Sequence, residues 1–201
     1  RRVLFRSAYG FVGLANTFVS YAQLLTIALN SVAGRFITVA YHERDDAKAN
    51  GYYSSTLAAN GVMVIVLMAA MIPVVVFLDK IVNISPHLVG DVKALFIFIF
   101  LNFMLSVIAT VYSVATFVKN KLYLSSIANL AFSMVRVIVM VVLFGILPPK
   151  VYYVGLAVCL ATAVMTLMNR SYTRVLLPDI SFHKESVSWT SIREMFAAGV
   201  W

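Results

Sequence analysis

Residues 117–150, FVKNKLYLSSIANLAFSMVRVIVMVVLFGILPPK, decide how this chain folds. Between Leu122 and Ile146 the stretch carries one charge, Arg136, in an otherwise apolar run. A bilayer core about 30 Å thick needs roughly 20 mostly apolar helical residues, and this run supplies them. Lys119-Asn120-Lys121 stands before it, and Gly145, Pro148 and Pro149 punctuate its end. The reading is a membrane-crossing helix entered through a tight basic turn.

Working outward from that span, the same test finds four more. The five are A (residues 13–41), B (50–78), C (92–118), D (122–146) and E (152–172). With 62% hydrophobic and 12% charged residues in 201, the chain has more apolar side chain than a soluble core of that length hides. The fold class is therefore an all-α integral membrane protein. Short links, HERDDAKAN between A and B and KNK between C and D, make sequence neighbours antiparallel, so an up-and-down bundle of five transmembrane helices is expected.

Basic residues divide unevenly between the two sides. Arg35, Arg44, Lys48, Lys119, Lys121, Arg170, Arg174, Lys184 and Arg193 fall on one, and only Lys80, Lys93 and Lys150 on the other. Short loops rich in Lys and Arg stay in the cytoplasm, which places the A–B and C–D turns and the segment after E there. The formal charge of +8 is thus an orientation signal, and a nucleic-acid partner is not expected. Arg1, Arg2 and Arg6 belong to RRVLFRS, residues 1–7, which matches the in-frame translation of a common sequencing-library adapter and is set aside. The chain is accordingly read as a piece of a longer protein.

Polar residues in the spans are ordered. At 100° per residue, Asn16, Ser20, Gln23, Asn30, Ser31, Gly34 and Thr38 share one stripe of span A, with Ile27 its apolar member. Span C carries Asn102, Ser106, Thr110, Ser113, Thr116 and Asn120; D carries Ser125, Asn129, Ser133 and Arg136; E carries Thr162, Thr166, Asn169 and Thr173. Such groups can be glue between helices, at about 0.6 kcal/mol each. Amides repeated over several turns ask for more, because unpaired amide groups are costly in hydrocarbon, and a water-filled cavity satisfies them.

Arg136 lies about 21 Å along D from Leu122 and about 15 Å from Ile146, too deep for easy snorkelling. An intramembrane charge marks a functional site by default; the plainer alternative is a structural bond to backbone carbonyls or to an acid elsewhere in the protein. Arg35, about 9 Å from the end of A, can snorkel to lipid phosphate. No Asp or Glu falls inside a span, so fixed positive charge favours an anionic passenger such as a phosphate or pyrophosphate. The expected substrate pathway comprises Arg136, Arg35, Asn16, Gln23, Asn30, Asn102, Asn129 and Ser133.

Catalytic chemistry has little support. His42, His87 and His183 sit at or beyond span ends without metal-ligand spacing, and no Ser/His/Asp set shares a helical face. HERDD reads as a solvated turn, the lone Cys159 as packing, and Pro73 as a bend in B. No catalytic residue, metal or cofactor is expected. Ser191 and Glu194 have the spacing of a capping box, which would open a further helix at IREMFAAGVW.

The segments AYGFVGLANTFVSYAQLLTIALNSVAGRFITVA, YYSSTLAAN and FVKNKLYLSSIANL together resemble the N-terminal half of the polysaccharide-biosynthesis and lipid-linked oligosaccharide flippases, within the multidrug/oligosaccharidyl-lipid/polysaccharide exporter superfamily. The resemblance runs from about Ala8 to Trp201 and is most specific in YGFVGL and AGRFIT. It implies two pseudo-symmetric lobes of six helices around a cavity open alternately to either side. Residues 8–176 would then hold the second to sixth helices of the N-terminal lobe, and 177–201 the cytoplasmic inter-lobe linker and the start of the next helix. It further implies a flippase of the bacterial cytoplasmic membrane that carries undecaprenyl-pyrophosphate-linked oligosaccharide for surface polysaccharide export. Its partners would be that lipid-linked glycan, membrane lipids and a C-terminal lobe. A cation-coupled multidrug antiporter would need a buried acid that these spans lack. A membrane enzyme of envelope glycan assembly would need reactive residues in a long outer loop, and a non-transporting scaffold would need dry stripes.

Overall fold

A computed structural model describes the backbone of residues 2–199, and the side chains of these except 2–9, 25, 27–29, 196 and 199. The helices are α1 (Arg2–His42), α2 (Asp46–Val76), α3 (Leu78–Ile81), α4 (Val89–Val118), α5 (Leu122–Ile146), α6 (Tyr152–Leu176) and α7 (Trp189–Gly199), and no strand occurs among the described residues. Four segments among the described residues are long and apolar enough to cross a membrane: α2, Pro86–Val118, α5 and α6. The chain is an all-α, multi-pass membrane protein. Span A lies within α1; Ile27, assigned to its stripe, and the side chains of the residue 1–7 segment lie outside the described residues.

Helix ends follow local chemistry. Asp45 accepts a hydrogen bond from the Lys48 amide at 2.9 Å, so α2 starts at Asp46 rather than at Asn50, where composition placed it. Both tight turns close alike. Arg44 (φ 59°) and Asn120 (φ 52°) adopt the left-handed conformation. The next amide donates back across the turn, Asp45 to the Ala40 carbonyl at 3.1 Å and Lys121 to that of Thr116 at 2.8 Å. This is the Schellman arrangement, with a non-glycine residue in the left-handed position. Pro73 lies inside α2, which ends at Val76, and Phe77 donates to the Pro73 carbonyl at 2.9 Å.

The expected capping box does not form. α7 begins at Trp189, ahead of Ser191, and the Glu194 carboxylate accepts from the Tyr52 hydroxyl at 3.0 Å. A contact between distant segments has taken the carboxylate that the local pattern assigned to a cap.

α4 is the central element. It packs most extensively on α6 and also contacts α1 and α2, while α5 leans on α6 and scarcely touches α4. Towards one end, Phe96, Phe100 and Phe103 of α4 bury against Ala15 and Val19 of α1 and Leu67 of α2. Towards the other, Ile37, Tyr52, Val111, Leu177 and Met195 form a second core. A methyl added to Gly155 of α6 would sit 3.0 Å from Phe98 Cβ and 3.2 Å from the Leu95 carbonyl, so this glycine sets how closely α6 approaches α4. In α5 only Ala128 is buried.

The two ends of the bundle differ in charge. The turns at Arg44 and Asn120 and the segment after α6 share one end: Lys119 bonds the Tyr41 hydroxyl, and Asn50 binds both the Asp179 carbonyl and the Ser181 amide at 2.9 Å. At the opposite end, Lys93 pairs with Asp79 at 2.6 Å and Lys150 with Asp91 at 3.4 Å.

Candidate functional site

Two cavities, each walled by hydroxyls and amides, meet on α4. One, of about 370 Å³, lies between α1 and α4 and is lined by Gln23, Thr26, Asn30, Ser31, Ser106 and Thr110, with Phe103 and Val107. The other, of about 230 Å³, lies between α4, α5 and α6 and is lined by Ser106, Thr110, Ser113, Ser125, Asn129 and Asn169, with Ala109 and Met165. Ser106 and Thr110 belong to both walls, so the cavities adjoin at α4 and together make a groove wall drawn from four helices. No acidic residue lines it. The groove between α2 and α4 is apolar by contrast, walled by Met68, Met71, Ile97 and Phe100, as suits a surface facing lipid tails.

Several hydroxyls of the stripes on α4 and α5 bond within their own helices. Ser106 donates to the Asn102 carbonyl at 2.8 Å, Thr110 to that of Ser106 at 2.9 Å, Ser113 to that of Thr110 at 2.7 Å, and Ser133 to that of Asn129 at 3.0 Å. This back-bonding is open to any Ser or Thr in a helix, so hydroxyls alone do not demand water. The amides discriminate.

Asn30 and Asn60 clasp α1 to α2 through amide bonds in both directions, at 2.8 and 3.3 Å, and Asn60 also donates to the Val107 carbonyl of α4 at 3.2 Å. Asn60 is wholly buried. Asn102 accepts from the Thr162 hydroxyl and so ties α4 to α6. Asn129 is exposed and donates to the Ser125 carbonyl at 3.0 Å. Asn16 and Gln23 are exposed, and neither side-chain amide bonds to a described residue. Asn169 is 4% exposed, yet its side-chain oxygen has no hydrogen-bond partner and it lines the groove. A buried amide without a partner costs about 1–3 kcal/mol, a cost that water or a ligand donor in the cavity removes.

Of the expected pathway residues, Gln23, Asn30 and Asn129 line the groove, and Asn30 divides its role with the clasp. Asn16 lies two turns from Gln23 on the same face of α1. Ser133 and Arg136 continue the Ser125–Asn129 line along α5, on the flank beside buried Ala128, whereas Leu130, Met134, Val137 and Val141 point away into the lipid-facing surface. Arg136 and Arg35 are exposed, and neither forms an ion pair or hydrogen bond with a described residue. Asn102 lies in the α4–α6 contact rather than on the groove wall. Sequence reasoning missed Asn60, and it placed Asn169 on the polar stripe of span E without including it in the pathway. Asn60 stands as a lone amide in an apolar span, and that isolation is the signal for it. No three His, Cys, Asp or Glu side chains among the described residues gather as a metal site.

The chain is similar to the uncharacterized membrane protein EpsK of Bacillus subtilis (strain 168), at 29% identity over 194 residues that cover 96% of this chain. The chain spans 38% of that protein's length. No family model matches it, and no solved structure matches it significantly.

Proposed function

We propose that this chain is part of a membrane flippase that passes the glycan of a lipid-linked oligosaccharide across the cytoplasmic membrane, with the glycan in the polar groove and the lipid tail in the bilayer. The observation that carries the reading is the groove wall. Amides of three helices, including that of Asn169 with its unpartnered oxygen, line two adjoining cavities without acids, which matches the hydroxyls of a sugar and an anionic linkage. Arg136, on the same flank of α5 as Asn129, and Arg35 of α1 would offset pyrophosphate charge. The end that carries Arg44, Lys48, Lys119 and Lys121 would face the cytoplasm. The similarity to a membrane protein over nearly all of this chain supports the membrane setting. A polar groove without a paired acid and base favours transport over bond-making, so no catalytic step is assigned.

The test is solvent access in the full-length protein, in a Cys159→Ala background. Cysteines at Gln23, Thr110 and Asn129 should react with a membrane-impermeant thiol reagent, while cysteines at Leu130 and Val141 should not. Equal protection of both sets would show that the groove is dry and remove the transport reading.

A further inference from the structure

A third polar cavity, of about 180 Å³, lies at the basic end of the bundle, apart from the groove; Tyr53, Tyr112, Arg170, Arg174, Ser181 and Phe182 are on its wall. We propose that it is a binding site for a single phosphate-bearing anion, gripped by Arg170 and Arg174 and hydrogen-bonded by Tyr53. The proposal is independent of the transport reading.

Arg170 and Arg174 stand one helical turn apart on α6, so their side chains project from one face. Neither forms an ion pair with a described residue, and no acid lines the cavity. The Tyr53 ring is buried, and its hydroxyl makes no hydrogen bond among the described residues, which leaves this donor open on the cavity wall. Cations near a helix C-terminus are favourable without any ligand, and that alone accounts for Arg174 in the last turn of α6. The orientation signal explains basic residues at this end, but neither effect explains why two arginines and an unbonded tyrosine hydroxyl line one cavity.

The wall is fixed in place before any ligand arrives. Asn50 holds residues 179–181 by two bonds, and Ser54 receives the His183 amide at 3.1 Å while donating to the Ser181 carbonyl at 3.4 Å. Thr173, between the two arginines, donates to the Tyr112 carbonyl at 2.7 Å and locks α6 to α4. A phosphate therefore meets a wall already in place, and the ordering that binding requires falls on the two exposed arginine side chains. Two guanidinium forks suit its oxygens better than point charges would. Arg170 is about 9 Å and Arg174 about 3 Å along the axis from Leu176, the last residue of α6, a depth at which a lipid headgroup can reach both.

The source of the phosphate, an anionic lipid headgroup or a soluble phosphate, is separated by titrating the purified chain in neutral detergent and counting bound species by native mass spectrometry. The probes are dioctanoyl phosphatidic acid, inorganic phosphate and, as control, dioctanoyl phosphatidylcholine. One phosphatidic acid should bind, at least ~10-fold more tightly than phosphatidylcholine. Arg170→Gln with Arg174→Gln should weaken it ~10-fold or more, Tyr53→Phe a few-fold, and the double Lys variant less than the double Gln variant. Inorganic phosphate binding as tightly as phosphatidic acid, with the same sensitivity to the variants, would uphold the phosphate site and assign a soluble ligand. Equal binding of phosphatidic acid by parent and double Gln variant, or binding without a defined stoichiometry, would overturn the proposal. If the double Gln variant does not fold, unchanged binding by both Tyr53→Phe and the double Lys variant would overturn it equally.

Discussion

Whether Asn30 belongs to the clasp or only to the groove is decided by a double-mutant cycle with Asn60. Two amide bonds join them, at 2.8 and 3.3 Å, and a third joins Asn60 to the Val107 carbonyl at 3.2 Å. Hydrogen bonds between membrane helices average about 0.6 kcal/mol, so the pair should couple by about 1.2 kcal/mol and the third bond should add about 0.6 kcal/mol to the Asn60 single variant. Leucine is the suitable replacement because it nearly preserves volume while removing every polar atom. Each single variant leaves its partner amide unpaired, so Asn30→Leu, which strands Asn60 at a wholly buried position, should cost more than Asn60→Leu, which strands Asn30, whose amide can turn to the cavity. The double variant should lose less than the sum of the singles by the coupling energy. Reversible unfolding of the four proteins in mixed micelles measures all the terms. Additive losses, with coupling within about 0.3 kcal/mol of zero, would refute the clasp and leave Asn30 as a groove residue alone.

Further expectations concern packing, charge and pH. Gly155→Ala should destabilise the α4–α6 contact by about 1–3 kcal/mol, because the added carbon meets the fixed atoms Phe98 Cβ and Leu95 O. Gly145→Ala in α5, with nothing within 4 Å, should be neutral or stabilising in the same unfolding assay. Arg136→Gln should reach the membrane at least as abundantly as the parent, since an arginine near mid-membrane costs about 2.5–3.5 kcal/mol on insertion scales, yet should impair glycan export in the full-length protein, with Arg136→Lys intermediate; normal export at normal abundance would remove Arg136 from the pathway. Lys93 holds the Asp79 carboxyl below its ordinary 3.8, so the stability this pair contributes is present above that pH and lost as pH falls through the lower folded value. Asp91 raises Lys150 above its ordinary 10.5, so that contribution is present below 10.5 and lost as pH rises through the higher folded value. The difference in melting temperature between parent and Asp79→Asn should therefore be small, constant near neutrality and vanishing in acid.

The limits of span D were legible to the residue, because a three-residue turn and a Gly-Pro cluster bound the run on either side. Those of B were not. Asp45 looked like one more charge of a polar turn, and its role as a cap depends on the backbone geometry that Arg44 sets up. The Ser191–Glu194 pattern misled for the complementary reason, since the Tyr52 hydroxyl, far away in sequence, competes for the same carboxylate. The polar stripes were legible as stripes, but their use was not. Gln23 and Asn30 lie on one face of α1 and have the same period, while Asn30 alone meets Asn60 across a helix pair. Periodicity reports which way a side chain points and is silent on what stands opposite.

That silence explains why amides, rather than hydroxyls, locate the groove. A serine or threonine in a helix can always return its proton to a carbonyl a turn back, and those of α4 do so. Such residues are tolerated in any environment and mark nothing by themselves. An asparagine has two donors and two acceptor sites, more than its own helix offers, so each one in a membrane span needs another helix or a wet surface. Asn60 and Asn102 take the first course, and Asn30 uses both. Asn169, buried and unpartnered beside Thr110 and Asn129, has only the second. The same reasoning applies with more force to Arg136, whose five donors meet no described acceptor. Its position beyond Ser133, on the flank of α5 that carries Asn129, continues the polar line of α5 towards mid-membrane. An arginine at that depth is stable only where water, an anion or a further part of the protein reaches it, and each of these requires that flank of α5 to face something other than lipid.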